Sequence, residues 1–126
     1  MPSQKTVRRL ASLVGLTRAA IGVAAVVAPS AVSSPWAGDD VESPGGELMT
    51  RAFGVRDAAL GIGVHLAARR GLPLKSWLRL SGLCDVGDLA ATVAAGDEVG
   101  EMASMTMALA ATGAIASFGL AALADS

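Results

Sequence analysis

The chain has 126 residues, 52% of them apolar and only 3% aromatic, with a mean hydropathy of +0.54. That length bounds one small domain, and a soluble core of this size would lean on larger side chains than the Ala, Gly, Leu and Val that dominate here. A net charge of −1 argues against a nucleic-acid partner, and the lone Cys84 excludes an internal disulfide or a thiol-pair redox centre.

Four apolar stretches follow one another, each about long enough to cross roughly 30 Å of hydrocarbon as a helix. The first covers residues 10–28 and is stopped by Pro29. Its basic lead-in, "KTVRRLASLVG", has the outline of a signal peptide, and "RRLASL" faintly echoes a twin-arginine signal. Arg18 interrupts the apolar run, however, and Pro29 follows Ala28, so the segment is expected to stay as a span. Ala20, Ala24 and Ala28 form a small-residue ridge along it. The following "PSAVSSPWAGDDVESPGG" reads as an irregular surface loop, with Trp36 at headgroup level. The second span, 47–68, is set off by "SPGG", and the third, 76–95, by "GLP". Trp77 suits the opposite interface. The fourth span is 102–124.

Charge is sorted between the connections. Lys5, Arg8 and Arg9 precede the first span, and Arg69, Arg70 and Lys75 lie between the second and third, with Arg79 a turn further on. The other two connections carry Asp39, Asp40, Glu42, Asp97 and Glu98 and no Lys or Arg. The expectation is a single all-α domain over 1–126: a four-helix transmembrane bundle of up-down topology in the inner (plasma) membrane, with both termini cytoplasmic. The alternative is a soluble, Ala-rich four-helix bundle.

Within the spans the anomaly is charge. At about 1.5 Å rise per residue, Arg18, Arg56, Asp57 and Asp85 fall near mid-depth, with Arg51 and Asp88 further out. Three Arg and three Asp can neutralise one another as a network of Arg–carboxylate pairs. Asp85 and Asp88 share a helix face, which Ser81 and Thr92 extend. Arg56 and Asp57 splay apart and are expected to reach different neighbours. Gly54, Ala58, Gly61 and His65 continue the face of Arg51 at helical spacing, and their small members permit close backbone approach. The fourth span, almost free of charge, reads as a wall.

Other signals are weaker. "DVGD" has the carboxylate spacing of metal-dependent phosphotransferases and prenyl-diphosphate enzymes, but the further acidic residues they need are missing. His65 reads as an interfacial histidine beside Arg69 and Arg70. Met102, Met105 and Met107 read as flexible packing, and Cys84 as an inert packing residue. "GIG" at 61–63 lacks the strand–turn–helix setting of a phosphate loop. No nucleophile–base pair and no cofactor motif is apparent, so no cofactor and no metal is expected.

The block "RAFGVRDAALGIG", followed by "WLRLSGLCDVGDLAAT", resembles a family of small four-span bacterial proteins of unassigned function. These are common in actinobacteria and loosely similar to DoxX-like membrane proteins. The resemblance runs roughly over 10–124 and rests most on Arg51, Gly54, Arg56, Asp57, Gly61, Arg79, Asp85 and Asp88. It implies the four-helix membrane fold and no activity. Length and span count are also similar to small multidrug transporters, but those depend on a carboxylate in the first span, where this chain has Arg18.

The functional expectation is a membrane protein that binds or passes a small amphipathic or anionic molecule through Arg18, Arg51, Arg56, Asp57, Asp85 and Asp88. It would act alone, with further copies, or as a subunit of a larger complex. One alternative is a membrane-embedded acid–base enzyme, of isomerase or cyclase type, with Asp85 or Asp88 as the acid. Another is a purely structural ion-pair network.

Overall fold

The computed structural model describes residues 1–37, 43–96 and 100–125. Among them are five α-helices and no strand: α1 (Gln4–Val27), α2 (Pro29–Ala37), α3 (Pro44–Arg70), α4 (Leu74–Ala95) and α5 (Gly100–Leu123). The chain is all-α, as expected. Asp39, Asp40, Glu42, Asp97 and Glu98 lie outside the described residues, as do the side chains of Trp36 and Met102.

The irregular loop expected after the first span is corrected in part, because it holds α2. Pro29 opens that helix, where a fixed φ suits the first turn and a missing N–H is no loss. Ser33 Oγ donates to the Pro29 carbonyl at 2.6 Å. Ala28, restricted by the proline after it, turns away from helical geometry at φ −137°, ψ 68° and separates α1 from α2. "SPGG", read as the end of that loop, likewise starts a helix, so α3 begins at Pro44 and not at residue 47. Ser43 Oγ accepts from the Gly46 N–H at 3.1 Å, and Pro44 is the first residue of α3. α1 begins well before residue 10 because Ser3 caps it, Oγ accepting from the Thr6 N–H at 3.2 Å.

Long side chains finish two of the helices. Arg8 Nη1 donates to the Ala67 carbonyl, 3.1 Å away, near the end of α3. Gln4 Nε2 donates to the Leu123 carbonyl at 2.9 Å, while its Oε1 accepts from the Asp125 N–H at 3.1 Å. The start of α1 therefore supplies groups that the ends of α3 and α5 lack. α3 stops at Gly71, whose φ of +70° is left-handed and open to glycine at no steric penalty.

α1 lies antiparallel along α3, and α4 packs on α5. Contacts of α3 with α4 and of α1 with α5 close the ring, and α2 touches α1, α3 and α5. The α1–α3 seam is backbone against backbone. A Cβ on Gly15 would stand 2.7 Å from the Gly61 carbonyl oxygen, and one on Gly22 would stand 2.6 Å from that of Gly54. The ridge expected at Ala20, Ala24 and Ala28 is thereby corrected: those residues are exposed, and Gly15, Ala19 and Gly22 form the seam. Both rows have small-residue spacing, but only the glycines let two backbones touch.

Trp77, expected at an interface, is half-buried and covers Gly63, whose missing side chain makes room for the indole ring. It packs against an apolar core that includes Val7, Ala11, Val64, Leu74 and Leu78. This core occupies the end of the bundle where α1 and α4 begin and α3 and α5 finish. Arg18, Arg56, Asp57, Asp85 and Asp88 lie above it.

Large apolar side chains point outward. Leu13 is 62% exposed, Leu83 61% and Ile115 74%, whereas much of the buried set is Gly, Ala and Ser. Two segments, Gln4–Val27 and Ser104–Leu123, are long and apolar enough to cross a membrane. α3 and α4 have the length but carry more charge, with Arg51, Arg56 and Asp57 in one and Arg79, Asp85 and Asp88 in the other.

Candidate functional site

Three helices meet at mid-height through five charged side chains. α1 contributes Arg18, α3 contributes Arg56 and Asp57, and α4 contributes Asp85 and Asp88. Arg18 grips Asp85 with a two-pronged fork, Nη1 to Oδ2 at 2.9 Å and Nη2 to Oδ1 at 2.8 Å. Arg56 grips Asp88 in the same way, Nη1 to Oδ1 and Nη2 to Oδ2, both at 2.7 Å. Such planar forks match a carboxylate better than a lysine could.

Asp57 joins the two forks. Its Oδ1 accepts from Arg18 Nη2 at 3.0 Å, from Arg56 Nη2 at 3.1 Å and from Arg56 Nε at 3.3 Å. The result is a continuous row, Asp85–Arg18–Asp57–Arg56–Asp88, alternating in sign. The expectation that Arg56 and Asp57 reach different neighbours is half right. Arg56 does reach Asp88 across to α4, yet it also folds back on Asp57.

The row runs from buried to accessible. The side chains of Asp85 and Arg18 are 8% and 14% exposed, those of Asp57 and Asp88 25% each, and that of Arg56 29%. Arg56 lies 5.2 Å from the centroid of the Phe53 ring, a cation–π contact at the open end. At the closed end, Asp85 Oδ2 would stand 2.6 Å from a Cβ on Gly113. The fourth span is therefore more than a wall, because Gly113 of α5 seats the buried carboxylate. The residue type carried no such signal, since a glycine in an apolar helix is common in lipid.

Arg51 does not join the row. It faces outward, 52% exposed, and among the described residues its ion-pair partner is Glu47 one turn back, at 3.8 Å. The assembled set is thus two arginines and three aspartates, not the balanced six expected. Thr92 turns back on its own helix and donates to the Asp88 carbonyl at 2.8 Å. His65 Nδ1 is 2.9 Å from Ser12 Oγ on α1, a pairing the interfacial reading missed. Cys84 is a free, half-buried thiol.

Counting oxygens locates the imbalance. Five of the six carboxylate oxygens in the row accept a guanidinium N–H. Asp57 Oδ2 accepts none among the described residues. Two buried polar atoms also lack a partner there: Arg18 Nε, and Ser81 Oγ one turn before Asp85. Among the described residues no group of His, Cys, Asp and Glu is arranged to hold a metal ion.

Comparison with known protein families, with curated proteins and with solved structures finds no match to this chain. The resemblance to DoxX-like membrane proteins therefore rests on the residues quoted for it alone.

Proposed function

We propose that the chain is a four-span inner-membrane protein with both termini cytoplasmic, and that its charged row binds the cationic head of a small amphipathic molecule. The membrane part draws on three features. Two helices have the length and composition of spans. Many large apolar side chains face outward while the five-membered charged row and the glycines of the α1–α3 seam face inward, the arrangement lipid favours. Basic residues gather at one end of the bundle, and in the sequence the acidic Asp39, Asp40, Glu42, Asp97 and Glu98 fall in the other two connections.

The ligand part rests on Asp57 Oδ2. Among the described residues it is the one oxygen in the row without a guanidinium donor, on a half-buried side chain, in a set of three carboxyl and two guanidinium groups. An ammonium head would complete both the charge and the hydrogen bonding. An anionic head fits less well, because both guanidinium forks already hold carboxylates. The enzymatic alternative also loses support, since Asp85 and Asp88, its candidate acids, are each clasped by an arginine.

Titration calorimetry of the purified chain in a non-ionic detergent tests this, with dodecylammonium and dodecanoate as probes. The ammonium should bind the wild type about tenfold more tightly than Asp57→Asn, a difference of about 1.4 kcal/mol. Dodecanoate should not compete. Equal affinity of the wild type and a folded Asp57→Asn for dodecylammonium would remove the proposal and leave the row as a structural network.

A further inference from the structure

The basic end of the bundle has a feature that the charged row does not explain. Lys5, Arg9, Arg69, Arg70, Lys75 and Arg79 gather there, and none makes an ion pair among the described residues. Two of them, Lys75 and Arg79, are one turn apart on α4. Like charges at that spacing repel mildly, and an anion between them would relieve the repulsion. At 100° per residue, Lys75, Arg79, Leu83, Val86, Ala90 and Val93 fall within a single narrow stripe of α4. This stripe is centred about 120° around α4 from the surface that buries Leu78, Ser81 and Asp85.

The stripe changes character once. After the two cations it is apolar and open, with Leu83 61%, Val86 45% and Val93 64% exposed. From Arg79 to Ala90 it rises about 16 Å, close to half of the roughly 30 Å hydrocarbon thickness. Cation pair, then apolar track, then one leaflet of depth is the outline of a single anionic lipid. The exposed Arg69 and Arg70 at the end of α3 add to the positive field.

We propose that Lys75 and Arg79 hold the phosphate of an anionic phospholipid, one of whose two acyl chains lies along Leu83, Val86 and Ala90. This rests on the membrane reading above but not on the ligand reading of the charged row. Electrostatic attraction near a membrane surface makes each cation worth roughly a factor of five in affinity. Losing both should weaken binding about 25-fold.

The test is native mass spectrometry of the full chain in a non-ionic detergent, with phosphatidylglycerol or phosphatidylcholine of identical acyl chains added. The wild type should retain phosphatidylglycerol in clear preference. Lys75→Gln with Arg79→Gln should abolish the preference at unchanged helical content, and Lys75→Arg should keep it. Should the double variant not fold, the exposed Arg79→Glu alone should suppress phosphatidylglycerol retention. Inorganic phosphate at the same concentration should not displace the lipid; displacement would mean that only the phosphate is recognised and would overturn the acyl track. Equal retention of the two lipids by the wild type, or an unaltered preference in a folded variant, would also overturn the site. A chain that sediments with membranes yet shows no preference loses this site alone. A chain found in the soluble fraction loses the membrane reading with it.

Discussion

Asp57 and Asp85 are both carboxylates in one row, yet their removal should have different consequences. Asp85 is the sole fork partner of Arg18, so Asp85→Asn removes that fork and leaves the guanidinium only its single contact with Asp57. Breaking a buried pair typically costs about 3–5 kcal/mol when the survivor is left unpaired, and the retained Asp57 contact should hold this variant to the low end of that range. Arg18→Gln should cost a similar amount, and the double variant clearly less than the sum, as read by unfolding in detergent. Strict additivity would show that these two are not partners. Asp57→Asn removes the surplus carboxylate and leaves two forks, each neutral, so it should cost the least of the three aspartate-to-asparagine changes. Arg51→Gln should lie within about 1 kcal/mol of the wild type, because its Glu47 contact is exposed. Four of the five members of the row were legible as charges at one depth, with Asp88 a turn outward. Arg51 was misassigned because depth says nothing of competition from nearby groups. A glutamate one turn back on the same helix is met at little conformational cost, whereas the row would require reaching across the bundle. The free oxygen of Asp57 was not legible at all, since fork geometry emerges only when three helices are in register.

At the level of helices, glycine-to-alanine changes should split by sign. Gly61 faces the Gly15 carbonyl and the Ala19 N–H, so Gly61→Ala should force α1 and α3 apart and cost about 1–3 kcal/mol. Gly22→Ala belongs with it. Gly87, inside α4, has open space where a Cβ would go, so Gly87→Ala should stabilise by about 0.5–1 kcal/mol through helix propensity. Thermal unfolding of the three variants gives the comparison, and a common sign for all three would contradict the seam. Gly113→Ala should act at a distance from that seam, displacing Asp85 and weakening the measured coupling between Arg18 and Asp85. The four long helices were legible from apolar runs between breakers, but their ends were not. Ser3 and Ser43 are caps, and the prolines beside them or at Pro29 stand where a helix tolerates them. A count of breakers reads such residues as loop, because a proline at a first turn and a proline in a loop look alike until the cap is visible.

For the whole molecule, the sorting of charge between connections was the most legible property, because it needs no knowledge of packing. It predicts sidedness. In a Cys84→Ser background, Leu72→Cys in the α3–α4 connection should react with an impermeant thiol reagent only after the cells are opened. Gly45→Cys, exposed near the start of α3, should react in intact cells. The reverse pattern would invert the topology, and labelling of both in intact cells would rule out cytoplasmic exposure of the α3–α4 connection. What charge sorting could not indicate is how the two chain-end segments are tied. Gln4 holds both Leu123 and Asp125, so residues distant by almost the full chain are neighbours. Joining them by a short linker and cutting instead at Gly71–Leu72 would give a circular permutant in which each long helix keeps its partners and its direction. New ends at that exposed turn would also offer a place to fuse a reporter without disturbing the clasp that Gln4 forms.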